Sequence, residues 1–169
     1  EGDRQADLTV HGGYDKAVYA YSYAHYQTWS EKLNSDFKDY GLVGENLTID
    51  DFDEDKINIG DQFKINECLL QVSQPRIPCY KIGIKLNSRE FPKMFSQSGL
   101  LGGYLRVIHD GEIRSGDEIH KVHSEENSMS LKDIAHLLFV DIKNIELMKQ
   151  ALDIKPLTEE IKEKFRERL

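Results

Sequence analysis

Polar and apolar residues alternate in short runs along most of the chain, then the apolar positions recur at helical spacing from about residue 130. Residues 17–21 are rich in β-formers and follow a His11-Gly12-Gly13 turn, which predicts a strand. Ser22 is placed to cap a short helix with Tyr26, Trp29 and Leu33 on one face. Gly41 and Gly44 punctuate a loop before residues 45–49. Five of the six residues 50–55 are acidic, so this run is expected to be solvated. Residues 57–59 predict a strand entering a Gly60-Asp61 turn, and Phe63, Ile65, Leu69, Leu70 and Val72 continue the pattern. Pro75-Arg76-Ile77-Pro78-Cys79 interrupts it, because proline lacks an N–H and fixes φ. Helical turns are expected over 80–86 and 90–96. Gly102-Gly103 precedes a strand over 104–108, Asp110-Gly111 signals a hairpin, and Gly116-Asp117 introduces a strand over 118–122. Many short strands with Gly/Asp turns predict a barrel or sandwich.

Beyond this, Ser130 and Asp133 have the form of a capping box, with Asp at the usual Glu/Gln position. Ile134, Leu137 and Leu138 make an apolar face. A second helix begins near Asn144 with Ile145, Met148 and Leu152. After Pro156, Thr158 is placed to cap a third helix holding Ile161, Phe165 and Leu169. The fold class is therefore mainly β (α+β). A barrel-like domain with short flanking helices is expected over residues 1–124, and a small three-helix bundle over 125–169.

A length of 169 residues suits one domain with a small appendage, and a net charge of −8 argues against coating nucleic acid or an anionic membrane. No apolar run approaches the roughly 18 residues of a spanning helix. Two cysteines, Cys68 and Cys79, are too few for a disulfide framework, so a reducing cytoplasm is expected. The chain opens at Glu1-Gly2-Asp3, without Met and inside a Gly/Asp-rich turn, which implies residues upstream.

The chemistry concentrates in two places. Between Cys68 and Arg89 there is no acidic residue, yet there are four basic ones: Arg76, Lys81, Lys85 and Arg89. Cationic neighbours favour the thiolate, which is both nucleophile and metal ligand, and two prolines would hold the Cys79 sulfur in a fixed direction. The competing reading is an inert cysteine after a rigid turn. Cys68, at a strand start, reads as core. The second place is Asp3 to Asp7 with His11-Gly12-Gly13, where glycines let successive N–H groups converge on an anion. A capping turn explains it equally well. His120 and His123 lack the further ligands of a zinc site and read as exposed. Tyr14, Tyr19, Tyr21, Tyr23, Tyr26 and Trp29 lack the basic interleaving of a base-stacking surface, so packing is expected.

Five segments together resemble the MOSC domain, named for the C-terminal domain of molybdenum cofactor sulfurases. They are Gly2-Asp3-Arg4-Gln5-Ala6-Asp7, His11-Gly12-Gly13 with Asp15-Lys16-Ala17-Val18-Tyr19, Gly44-Glu45-Asn46-Leu47-Thr48, Ile59-Gly60-Asp61, and Pro75-Arg76-Ile77-Pro78-Cys79-Tyr80-Lys81. Ser98-Gly99, Gly103-Tyr104-Leu105-Arg106-Val107 and the three C-terminal helices are similar to the bacterial YiiM-like branch, whose members resist N-hydroxylated purines. The resemblance implies a MOSC-type β-barrel in which Cys79 matches the family's invariant cysteine and ligates molybdenum of a molybdopterin-type cofactor. It implies reduction of small N-hydroxylated bases or amines, with electrons from an external reductase and no nucleic-acid or membrane partner; a homodimer is compatible with it. Arg76 becomes the candidate partner of the pterin phosphate, with Lys81 and Lys85 as further counter-charges. Asp7 and His11 become candidates for orienting substrate or moving protons. Asn46, Thr48, Gly12 and Gly13 become candidates for holding the cofactor. The rival reading is a non-redox sulfur carrier or cofactor-binding module with a persulfide on Cys79. The family's pattern also carries strands ahead of the Gly2-Asp3 motif.

Overall fold

The computed structural model describes residues 12–37 and 39–169. After a 3-10 turn at Tyr14–Lys16, strand β1 (Val18–Ser22) leads into helix α1 (Ala24–Leu33), and β2 (Leu47–Ile49) returns parallel to β1. Strands β3 (Gln62–Ile65) and β4 (Cys68–Pro75) form a hairpin whose turn uses Asn66 at φ 52°. Helices α2 (Tyr80–Lys85) and α3 (Phe91–Ser98) follow, then β5 (Gly103–His109) and β6 (His120–His123). Helices α4 (Leu131–Phe139), α5 (Ile145–Leu152) and α6 (Glu159–Arg166) end the described chain. The strands make a curled six-stranded sheet, a half-barrel, in the order β2-β1-β5-β4-β3-β6. The fold is mixed α+β with a mainly β core, as expected.

Strand β4 shows why the sheet curls around what it does. Its first half alternates, with Cys68, Leu70 and Val72 buried and Leu69 and Gln71 partly exposed, as a one-faced strand requires. Its second half, residues 73–75, is buried throughout because the chain covers both faces. The polar side chains trapped there are satisfied. Ser73 Oγ donates to the carbonyls of Asp15 (2.5 Å) and Tyr104 (2.9 Å), and Gln74 Oε1 accepts from Thr158 Oγ1 (2.7 Å). One core runs from Leu70, Val72 and Leu105 of the sheet into Ile134, Met148 and Phe165 of the helices. A second gathers Tyr19, Tyr21, Tyr26 and Trp29 with Phe91 and Phe95 of α3. These aromatics pack, as expected, while Tyr14 and Tyr23 stay exposed. Among the described residues no helix is long and apolar enough to cross a membrane.

Five local expectations are corrected. The acidic run 50–55 is not uniformly solvated: Phe52 is 1% and Glu54 3% exposed. Residues 57–59 make an isolated bridge, Asn58 to Ser130, and no strand, because α4 takes the neighbouring edge. Asp110-Gly111 does not close a hairpin: β5 already lies between β1 and β4, so β6 pairs with β3 instead. Ser22 is the buried last residue of β1, and α1 starts without a side-chain cap. Thr158 precedes α6 but gives its hydroxyl to Gln74. The Ser130–Asp133 capping box forms as read.

Candidate functional site

Strand β4 runs to Pro75, which is still in register with Gly103. The chain then leaves the sheet through Arg76-Ile77-Pro78, and Cys79 becomes the N-cap of α2 with extended φ and ψ of −113° and 164°. The Cys79 thiol is partly exposed, and its side chain makes no capping bond to the helix. Cys68 is the opposite case. It is buried, and burial together with Asp110 pushes its thiol pKa up, so it is an inert core residue.

Arg76, three residues before Cys79, ties this segment to the 41–48 loop and to β1. Its Nη1 donates to the Val43 carbonyl at 2.6 Å, and its guanidinium lies 4.5 Å from the centre of the Tyr19 ring. Its Nε–H is buried and has no partner. Tyr19 is fixed in turn by a 2.7 Å bond to the Leu101 carbonyl, and burial raises its phenol pKa well above the ordinary value, with Arg76 pulling the other way. Gly44 sits beside Arg76 at φ 85°, a conformation that favours glycine. Lys85 donates to the Gly41 carbonyl. Segments 41–48 and 75–85, far apart in sequence, are therefore one unit.

Glu45 holds that unit from inside. Its buried carboxylate accepts from Gly41 N (3.2 Å), Val43 N (3.1 Å), Thr48 Oγ1 (3.2 Å) and the Tyr26 hydroxyl. Burial, and then this carboxylate, raise the Tyr26 pKa. Sequence reasoning did not single out Glu45, although its place between Gly44 and Asn46 was the available signal.

The sequence candidates do not all meet. Cys79, Arg76 and Lys81 share the β4–α2 segment, with Lys81 exposed. Asn46 caps the end of the β1–β2 ladder, its Oδ1 accepting from Tyr19 N at 2.8 Å. Asn46 and Thr48 line a cleft of about 780 Å³ with Tyr40, Arg114, Asp117 and His120, and neither Arg76 nor Cys79 lines it. Gly12 and Gly13 adopt φ of 79° and 89° ahead of the 3-10 turn. A Cβ on Gly13 would meet nothing within 4 Å, so backbone conformation and not close approach requires glycine there. Asp7 and His11 lie outside the described residues. His120 and His123 are surface residues.

This donor set fits a metal that brings most of its own ligands. Among the described residues no three His, Cys, Asp or Glu side chains converge. One accessible thiol, a buried unpaired guanidinium N–H and a cationic stretch suit an anionic cofactor bound through a single sulfur.

The MOSC domain family model matches residues 7–120, and the YiiM-like, 3-alpha helix domain model matches residues 129–169. YflK of Bacillus subtilis (strain 168) is 36% identical over 165 residues, covering 98% of this chain and 74% of that protein. The crystal structure of YiiM from Geobacillus stearothermophilus superimposes with a TM-score of 0.89 at 35% identity, over 94% of this chain and 80% of that one. A protein of Gibberella moniliformis (strain M3125 / FGSC 7600) named reductase is 29% identical over 171 residues, which is 99% of this chain and 30% of that protein. With both segments matched and the half-barrel shared, the chain belongs to the MOSC domain family, with a YiiM-like three-helix domain in residues 129–169.

Proposed function

We propose that this chain is an oxidoreductase domain that reduces small N-hydroxylated bases or amines in a reducing cytoplasm, with Cys79 as the protein ligand of a molybdenum–pterin cofactor. The observation that carries the reading is the partly exposed Cys79 thiol at the start of α2, three residues after an arginine with a buried, unpaired N–H. Family membership and the relative named reductase support it.

When bound, the cofactor supplies a metal able to pass two electrons to an N–O bond. Cys79 contributes one deprotonated thiolate, a soft ligand whose backbone is stiffened by Pro75 and Pro78. Arg76 offers its Nε–H to an anionic oxygen, and Lys81 adds positive charge. Asn46 and Thr48 serve by fixing the 41–48 loop, through Tyr19 N and the Glu45 carboxylate, and Gly12 and Gly13 help to hold the cofactor. Asp7 and His11 orient substrate or move protons.

Protein made in cells that synthesise molybdopterin is expected to contain stoichiometric molybdenum and to reduce 6-hydroxylaminopurine with a chemical electron donor. Cys79→Ala is expected to lose both. Molybdenum retained in that variant overturns the reading. Absence of molybdenum with a cyanide-labile sulfur on Cys79 replaces it with the sulfur-carrier alternative.

A further inference from the structure

Two cations flank Cys79 along the chain, and one loop holds both. Arg76, before it, donates to the Val43 carbonyl at 2.6 Å, and Lys85, after it, donates to the Gly41 carbonyl. The same loop turns its N–H groups the other way. Gly41 N and Val43 N donate to the Glu45 carboxylate at 3.2 and 3.1 Å. Leu42 N donates at 3.1 Å to the Tyr26 hydroxyl, which donates in turn to that carboxylate. A line of hydrogen bonds therefore runs from Lys85 through the Gly41–Leu42 peptide and the Tyr26 hydroxyl to Glu45. The Val43–Gly44 peptide joins it, its oxygen accepting from Arg76 and its N–H reaching the Gly41 carbonyl at 3.0 Å. Both peptides present oxygen to a cation and hydrogen toward the anion, the orientation in which linked bonds reinforce one another. Glu45 itself is 9% exposed, and among the described residues no cation pairs with it directly. Burying a carboxylate this way is costly, and a well-packed apolar side chain often does as well for stability. What the charge adds is direction: it orients the N–H groups of the loop, and with them the carbonyls on the other side.

We propose that Glu45 is the positioning residue of this site: through the Gly41–Gly44 loop and Tyr26 it fixes the two carbonyls that anchor Arg76 and Lys85 on either side of Cys79. It acts through these groups and touches neither the thiol nor a ligand. The proposal rests on the cofactor reading in one respect, that the unpaired Nε–H of Arg76 is kept for an anionic oxygen of the cofactor. Without the carboxylate the loop loses two direct acceptors and the end of the Tyr26 line, its carbonyls are no longer held in place, and Arg76 loses its fixed direction.

The test follows the Arg76 Nε–H by nitrogen–proton NMR of the full chain, its signal assigned by its loss in Arg76→Lys. Glu45→Gln is compared with Asp61→Asn, which neutralises another buried carboxylate, one that accepts from Asn58 N (3.0 Å), Glu125 N (2.9 Å) and Lys121 Nζ (2.6 Å). Solvent exchange of the Arg76 Nε–H is expected to rise about tenfold or more in Glu45→Gln and to stay unchanged in Asp61→Asn. Tyr26→Phe removes only the hydroxyl between Leu42 N and the carboxylate, and a smaller rise is expected; it decides the question if Glu45→Gln does not fold. An unchanged Nε–H in these variants, or an equal rise in Asp61→Asn, overturns the positioning role. Molybdenum content of protein made with the cofactor is expected to fall in Glu45→Gln and not in Asp61→Asn. Full molybdenum in Glu45→Gln with a loosened Arg76 overturns the cofactor role of Arg76 alone, since the exchange rates decide positioning without it.

Discussion

Glu54 and its two acidic neighbours have different surroundings within one short run. Glu54 turns its carboxylate inward, accepting from Gly102 N–H at 2.9 Å and meeting His25 Nε2 at 2.8 Å. Asp53 and Asp55 stay outside and pair with Lys56 (2.7 Å) and Lys132 (2.5 Å). Lys56 holds the Asp53 carboxyl below its usual range, but such a pair is largely screened by water. Removing Glu54 strands a buried backbone N–H that cannot retreat, because Gly102 packs directly on the Ala20 carbonyl and the Tyr19 and Tyr21 rings. Glu54→Ala is therefore expected to cost about 3 kcal/mol. Asp53→Ala and Asp55→Ala should each stay within about 1 kcal/mol. Urea unfolding of the three variants checks this, and equal losses would show that Glu54 carries no special load. Composition concealed the difference, since five acids in six residues read as solvent. The missed clue was Phe52, which sets an inward phase that returns two residues later at Glu54.

The three C-terminal helices were legible as elements because their signals are local. The capping box needs only Ser130 and Asp133, and the apolar spacing needs only its own helix. Thr158 was misread because a distant acceptor, Gln74, outcompeted the helix end. How the unit docks was equally hidden, since it depends on Gly60. At φ 97°, a Cβ on Gly60 would lie 2.6 Å from Pro156 Cγ and 3.0 Å from Glu125 Cγ. Pro156 is also held from the sheet side, its carbonyl accepting from Arg106 Nη2 at 2.9 Å, and Lys16 reaches Glu160 at 2.6 Å. Gly60→Ala strains the backbone and pushes Pro156 away at once, so a loss of about 2–4 kcal/mol is expected. Amide hydrogen exchange should then rise first in α5 and α6. Uniform acceleration across the sheet instead would mean that the contact does not govern docking.

At the scale of the whole molecule, the strand-rich half and the helical unit could be read from periodicity, but the sheet order could not. Asp110-Gly111 has hairpin chemistry, yet β5 has no free edge, and Gly111 instead packs a Cβ-free backbone against Cys68. The same long-range assembly buries the phenols of Tyr19 and Tyr21 between β1, α1 and α3, and desolvation raises both pKa values above the ordinary tyrosine value. The consequence for stability has a definite sign. In the unfolded chain these phenols ionise near pH 10, whereas the fold keeps them neutral to higher pH. Their contribution is fully present below about pH 10 and falls as pH climbs from there toward the folded values, by about 1.4 kcal/mol per pH unit for each tyrosine. Tyr19→Phe keeps the ring beneath Arg76 and removes one ionising group, at the expense of the bond to Leu101. The variant should start less stable near neutrality and lose stability less steeply above pH 10. Urea midpoints across that range measure both slopes, and parallel slopes would show that the Tyr19 phenol is not what the alkaline limb reports.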